Sequence, residues 1–246
     1  MAEIQTTATS HRPVVRALTE VLGSGCVLLD RDVTSRSAGI WRNDSIQARV
    51  LVRPRNTEEV SQALRICHAH RQRVVAQGGL TGLVESALTD PDDVVISLER
   101  MQEIESINPL ERTVVVHSGV ILQTLQEAVA EHGLMFPLDL GGRGSCTIGG
   151  NISTNAGGNR VIRYGMTRDM VLGLEAVLAD GTVISSMNQM IKNNAGYDLK
   201  QLFIGTEGTL GIVTRAVLRC RALVDSQPTD LTPSNKRYFL PGSAGS

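Results

Sequence analysis

Aromatic side chains are scarce: only 3% of the 246 residues are Phe, Trp or Tyr, and there is a single Trp. Base-stacking platforms need such rings, so the composition argues against a nucleic-acid reader. An excess of charge of either sign is also missing. The 24 Lys and Arg against 25 Asp and Glu leave a net charge of −1, which gives no basic face for a polyanion or an anionic membrane. No apolar run approaches the roughly 20 residues of a membrane span, so none is expected. The opening MAEIQTTATS has neither the charged nor the apolar region of a signal peptide. Cysteine is sparse and scattered: Cys26, Cys67, Cys146 and Cys220 form no Cys-x-x-Cys. In a chain of this length they read as buried or incidental thiols of a reducing compartment, and the cytoplasm is the expected setting.

What is present is an ordinary globular composition, 41% hydrophobic and 20% charged, with enough chain for one large domain or two small ones. Residues 1–11 are polar and expected to be flexible. Pro13 near a first turn and Gly23 past the end frame a helix over Pro13–Leu22. A strand at Arg49–Val52 ends at Pro54. Asn56 or Thr57 then caps a helix to about Arg71, with Val60, Leu64 and Cys67 on one face. Short apolar strands follow at Val74–Ala76 and Val94–Leu98. This order suggests a small parallel or mixed sheet with a helix packed on it. Beyond it come a strand at Thr113–Val116, an amphipathic helix Leu122–Glu131 closed by Gly133, and strands Leu174–Leu178 and Thr182–Ser185. Ala179-Asp180-Gly181 between the last two is a hairpin signal, so a second, partly antiparallel sheet is expected. Ile212–Arg219 is the last strand, and the polar stretch from 222 to 246 reads as a flexible tail.

Glycine is what the chain has in quantity, and half of its 24 glycines fall in two turns and one long loop. Val74–Gln77 runs into Gly78-Gly79-Leu80-Thr81-Gly82-Leu83. Consecutive glycines let successive N–H groups point into one concavity, an anion nest. A tight turn between two strands is the plainer reading, and both stand on the residues alone. No G-x-x-x-x-G-K-[ST] exists, and no G-x-G-x-x-G follows a strand and opens a helix, so a P-loop and a Rossmann unit are excluded. From Asp139 and Leu140 through Gly141, Gly144, Ser145, Cys146, Thr147, Gly149 and Gly150 to Asn151, hardly a side chain can pack. Loops of this length are functional or disordered, and Ile148, Ile152, Val161 and Ile162 act as core anchors against disorder. Thr154-Asn155-Ala156-Gly157-Gly158 can open a short helical turn toward the same ligand. Glu207–Val213, with Gly208 and Gly211, lets the main chain approach a flat ring. Main-chain donors and small hydroxyls throughout suit a long ligand with carbonyls and phosphates, a flavin dinucleotide.

Six ordered blocks, QGGLTGL, ISLERMQEI, FPLDLGGRGS, TIGGNISTNAGGNRVIRYG, LGLEAVLADGTV and KNNAGYDLKQLFIGTEGTLGIVT, closely resemble the FAD-linked oxidases with a PCMH-type (vanillyl-alcohol-oxidase) flavin domain. The nearest group is the D-lactate, glycolate and D-2-hydroxyglutarate dehydrogenases, and the likeness spans about Val50 to Arg219. The resemblance implies an α+β fold with two lobes. One (12–105) has a small parallel or mixed sheet, the other (106–221) a larger, partly antiparallel sheet with helices, and FAD lies extended between them. Carried over by position, Gln77, Gly78, Gly79, Leu80, Thr81, Gly82 and Leu83 hold the pyrophosphate. Asp139, Leu140, Gly141, Gly144, Ser145, Cys146, Thr147, Gly149, Gly150, Asn151, Thr154, Asn155, Ala156 and Gly157 line the ribityl chain and isoalloxazine. Glu207, Gly211, Ile212 and Val213 close over the adenine or the ring. Relatives that tether the flavin do so through a histidine in the glycine turn; Gly79-Leu80-Thr81 has none, so the FAD is expected to be noncovalent.

The implied activity is oxidation of a small 2-hydroxy acid to its 2-oxo acid. Two departures are small: Ser86 replaces a usual glycine, and Cys146 an alanine or threonine. The large departure is length. Relatives continue into a cap domain that supplies substrate-facing cations and a metal site, so the chain resembles the flavin half of an enzyme. The alternatives are a non-catalytic flavin module and one subunit of a split dehydrogenase, whose partner would supply the cap. No residue is assigned as the catalytic base. His117 at a strand end reads as structural, and Cys67, His68 and His70 lack a second ligand pair for a metal. Arg163, Tyr164, Lys192, Asn193, Tyr197 and Lys200 could equally face a ring or the surface.

Overall fold

A computed structural model describes residues 12–223; the expectation for 1–11, and for all but the first residues of the tail, lies outside them. The first half contains α1 (Pro13–Leu22), β1 (Val27–Leu29), α2 (Arg31–Thr34), β2 (Val50–Val52), α3 (Thr57–Ala69), β3 (Val74–Gln77) and β4 (Val94–Ser97). The second contains β5 (Ile104–Asn108), β6 (Thr113–His117), α4 (Leu122–Ala130), β7 (Leu134–Met135), α5 (Ile148–Ser153), α6 (Val161–Tyr164), β8 (Val171–Val177), β9 (Val183–Ser186), β10 (Ile212–Arg219) and β11 (Arg221–Ala222). Two 3₁₀ turns, Thr167–Met170 and Leu199–Leu202, lie among them.

The first sheet has the order β1-β2-β4-β3. β4 runs parallel to both β2 and β3, and β1 is antiparallel to β2, so this sheet is mixed. Its central strands β2 and β4 are buried throughout, as continuous apolar runs require when both faces are covered. α3 starts where Asn56 accepts a hydrogen bond from the Glu59 N–H at 2.9 Å, leaving Glu58 and Glu59 in a first turn that favours negative charge. α1 packs on α3, burying Val14, Val15, Leu18 and Leu22.

The second sheet has the order β5-β6-β10-β8-β9, and every neighbouring pair is antiparallel. β8 and β9 form the hairpin that Asp180-Gly181 signals, with Gly181 at φ +85°. The strand expected at Leu174 begins earlier, at Val171, and β5, β7 and β11 had no clear period. β11 pairs with β7 through Arg221↔Met135 and Ala222↔Leu134, so ordered chain continues past the boundary expected at 221.

The two sheets meet through α3, which packs on β8 and β10 as well as on α1. Val177 and Ile212, from the second sheet, belong to the apolar cluster under the first. Polar ties reinforce this junction. Ser61 Oγ donates to the Gly181 carbonyl at 2.5 Å, and Thr57 Oγ1 donates to Glu175 Oε1 at 2.6 Å.

Two local expectations are corrected. The long glycine loop is not loop throughout, since α5 occupies Ile148–Ser153. Thr154–Gly158 opens no helical turn. Thr154 instead caps the C-terminal end of α5, Asn155 turns through φ +46°, and the next helix starts at Val161.

Candidate functional site

β3 delivers the chain to the edge of the first sheet and α5 lies against the second; the glycine turn and the start of α5 face each other across a cleft of about 540 Å³. That size suits a ligand pocket. Of the expected residues, Gln77, Gly78, Gly79, Leu80, Thr81, Gly82 and Leu83 line one wall. Leu140, Cys146, Thr147, Gly149, Gly150, Asn151, Thr154 and Ala156 line the other, with Glu207, Ile212 and Val213 at its base.

The turn 78–83 is built as a donor surface. Among the described residues, none of the N–H groups from Gly78 to Leu83 donates a hydrogen bond. Unpaired main-chain donors are rare unless water or a ligand takes them. Gln77 holds this turn from below, its Nε2 donating to the Ala87 carbonyl at 3.0 Å. Leu80 sits at φ +52°. The walls touch so closely that glycine is required at two positions. A Cβ on Gly78 would meet Thr147 Oγ1 at 2.5 Å, and one on Gly79 would meet Cys146 Cα at 2.8 Å and the Ser145 carbonyl carbon at 2.9 Å.

On the far wall, Thr147 caps α5 by accepting from the Gly150 N–H. Asn151 is only 4% exposed, and its Nδ2 makes no hydrogen bond of normal geometry, although the Cys146 thiol lies close enough to feel it. A buried amide donor without an acceptor is costly unless something supplies one. The Cys146 thiol is raised above its ordinary pKa by burial, an effect partly offset by Asn151, so it is a neutral wall rather than a nucleophile. The charged residues lining the cleft are Arg42, Glu85 and Glu207. Arg42 is paired with Asp44 and Glu85, so a bound anion would depend mainly on backbone dipoles.

Seven expected residues lie off this cleft's lining. Asp139 pairs with Arg143 and Arg160. Gly141 and Gly144 belong to the turn before α5, and the Ser145 carbonyl lies close against Gly79. Asn155 Oδ1 accepts from the Arg168 N–H at 2.9 Å, and Gly157 makes room for Met166. Gly211 lines a second cavity of about 460 Å³ that shares Ala76, Gly208 and Ile212 with the first. Conversely, Ala38, Gly39, Trp41 and Arg42 line the cleft and were missed. The sole tryptophan, set between Gly39 and the charged Arg42, was the one available signal.

None of the candidate polar residues of the last blocks lines the cleft. Arg163 stacks over its neighbour Tyr164, Lys200 pairs with Asp198, and Tyr197 is exposed. His117 Nε2 lies 2.9 Å from Glu105 Oε1. Among the described residues no group of three or more His, Cys, Asp or Glu is placed to hold a metal, and no helix is long and apolar enough to cross a membrane. The four cysteines are free and buried, as their spacing suggested.

A family model described as FAD binding domain matches residues 48–186, more than half of the chain. The chain belongs to the FAD-binding domain family. It is 49% identical over 173 residues to a mitochondrial D-2-hydroxyglutarate dehydrogenase of Bos taurus, covering 70% of this chain and 32% of that one. A D-2-hydroxyglutarate dehydrogenase of Stutzerimonas stutzeri is 40% identical over 220 residues, covering 89% of this chain and 47% of the other. The chain thus spans 32% to 47% of the length of these relatives. Among solved structures it resembles an alkyldihydroxyacetonephosphate synthase (TM-score 0.76, 22% identity, 87% of this chain and 41% of that one). A Phl p 4 variant described as a glucose oxidase is also similar (TM-score 0.72, 18% identity, 86% and 44%). The expected α+β flavoprotein fold is therefore the one present.

The cleft fits the family's cofactor. A run of unused N–H groups matches a pyrophosphate, the orphaned Asn151 amide matches a carbonyl or ring nitrogen, and the turn Gly79-Leu80-Thr81 offers no histidine for a tether.

Proposed function

We propose that this flavin domain is the cofactor-holding part of a dehydrogenase that oxidises a 2-hydroxy acid of the D-2-hydroxyglutarate type to its 2-oxo acid. The observation that carries the reading is a two-walled cleft with a run of unpaired main-chain donors along one wall, in a chain 49% identical over 173 residues to a D-2-hydroxyglutarate dehydrogenase. FAD lies noncovalently between the lobes 12–105 and 106–221. When bound, it supplies the two-electron acceptor for the hydride that leaves the substrate's Cα. Gly78 to Leu83 hold the pyrophosphate with main-chain N–H groups. Thr147, Gly149, Gly150, Thr154 and Ala156 form the side-chain-poor wall, and Asn151 Nδ2 donates to a ring acceptor. The protonated Cys146 adds no charge beside the ring. Ile212 and Val213 close the base.

A second reading, a flavin module or one subunit of a split dehydrogenase, is favoured by a specific feature. Among the described residues no His or Lys lines the cleft, and its one cation, Arg42, is already paired with Asp44 and Glu85. That leaves no free cation there to pair with a substrate carboxylate and no histidine to accept the hydroxyl proton. Those groups are assigned to a cap or partner subunit. The buried, unpaired thiols support a reducing compartment, and the cytoplasm is proposed.

The FAD-loaded chain should be mixed anaerobically with D- and L-2-hydroxyglutarate while visible flavin absorption is followed. Bleaching by the D acid alone supports the dehydrogenase. Bound FAD unchanged by either acid supports the module or split subunit. A chain that acquires no flavin absorption overturns both.

A further inference from the structure

We propose that the loop between Ser37 and Ser45 is a third wall of the cofactor cleft, with the Trp41 indole offering a face for one aromatic ring of the bound dinucleotide. The inference rests on the flavin reading above and extends it to a segment outside the family match, which begins at residue 48.

The loop is held in place from four directions. Ser37 and Ser45 form an antiparallel bridge, and the Ala38 N–H donates to the Asp44 carbonyl at 3.0 Å. Arg42 is forked onto Asp44 through two bonds of 2.7 and 2.8 Å. Its remaining nitrogen reaches Glu85, on the far side of the glycine turn, at 2.8 Å. The Ile40 N–H donates to the Leu80 carbonyl at 3.2 Å. The same residue, Leu80, belongs to the run whose N–H groups are unused. One peptide chain therefore carries the candidate phosphate donors and anchors the loop that bears Trp41.

Within this restrained loop the indole itself is bare. Trp41 lines the cleft yet is 69% exposed, and two other apolar residues of the lining, Leu83 at 78% and Val84 at 67%, are equally bare. Exposed apolar side chains scattered singly need no explanation, but a cluster at the mouth of a pocket marks a surface that something covers. A dinucleotide has a flat ring beyond each end of its pyrophosphate. A tryptophan tied to the phosphate turn through Ile40 is positioned to stack on one of them, and the fixed loop means little ordering is lost when it does. Both rings share that chemistry, and separate probes tell them apart.

The test compares the unaltered full chain with Trp41→Ala and Trp41→Phe, measuring FAD affinity by titration. Base–aromatic stacking is worth about 1–3 kcal/mol on alanine substitution, so Trp41→Ala should weaken FAD about 5- to 150-fold. Trp41→Phe should recover most of that loss. The melting temperature of the FAD-free chain should be unchanged in both, because an exposed ring contributes little to folding. Titration with ADP and with FMN then assigns the ring: a Trp41→Ala loss confined to ADP indicates adenine, and one confined to FMN indicates isoalloxazine. FAD binding by Trp41→Ala equal to that of the unaltered chain overturns the proposal while leaving the flavin reading intact. An equal loss in Trp41→Phe, with folding preserved, also overturns it. Absence of FAD binding by the unaltered chain overturns both.

Discussion

Alanine at Gly79 would force apart the two walls of the cleft where they touch. The added Cβ would sit 2.8 Å from Cys146 Cα and 2.9 Å from the Ser145 carbonyl carbon, with the carbonyl oxygen closer still. All three are main-chain atoms, so no rotamer relieves them. Overpacking costs typically about 1–3 kcal/mol, and a clash with backbone belongs at the upper end. For a domain of this size each kcal/mol lowers the melting temperature by about 2–4 °C, so Gly79→Ala should melt about 6–12 °C lower. The displaced turn would also misdirect the N–H groups of its neighbours. Losing one hydrogen bond to a charged ligand costs about 1.5–3 kcal/mol, which at the upper end is a weakening of FAD binding of roughly 100-fold. Gly82→Ala is the control in the same turn, because nothing lies within 4 Å of its Cβ position. It should melt within about 2 °C of the unaltered chain, since it carries no such clash. Differential scanning calorimetry and FAD titration read both quantities. Equal behaviour of the two variants would refute the close apposition of the walls.

Ser61→Ala removes the buried bond to the Gly181 carbonyl that ties α3 to the β8–β9 hairpin. A stranded buried carbonyl costs about 1–3 kcal/mol, and urea melts should show that loss with an unchanged m-value. Glu105 is held below its ordinary pKa of 4.5, chiefly by its hydrogen bond to Arg215 and further by the Arg215 and His117 charges. Its folded value being depressed, its stabilising contribution is complete above that ordinary value and fades as pH falls through the lower one; Glu105→Gln should therefore flatten the acid limb of the stability curve. Burial pushes the Cys67 and Cys220 thiols up to about 12. Mass spectrometry after iodoacetamide treatment of the folded chain near neutral pH should find both unmodified, and rapid labelling would contradict their burial.

How far the sequence revealed this fold varied with the source of each element's order. α1 was legible residue for residue because Pro13 and Gly23 frame an amphipathic run, and β10 because Ile212–Arg219 is an uninterrupted strand-forming segment. α5 was hidden. Its six residues include Gly149 and Gly150, poor helix formers. What fixes it is tertiary: the Ile148 and Gly149 N–H groups donate to the Val120 and Ser118 carbonyls. The short strands β1, β7 and β11 span two or three residues each, too few to show a period. At the site, the two main glycine-rich segments converge as expected, because glycine clusters report close backbone approach wherever they meet. Gly157 and Gly211 share that composition for another reason, making room for Met166 and Phe203. Composition alone cannot separate a glycine that faces a ligand from one that faces a side chain. The Trp41 loop has no repeating pattern, and its contacts with Leu80 and Glu85 bring it to the cleft.

Amide hydrogen exchange of the chain with and without FAD reads the central claim most directly. Noncovalent FAD clasped between two glycine-lined walls should slow exchange together at Gly78 to Leu83 and at Thr147 to Asn151, with the flavin released on unfolding. Protection confined to one of these segments, or none at saturating FAD, would contradict the account.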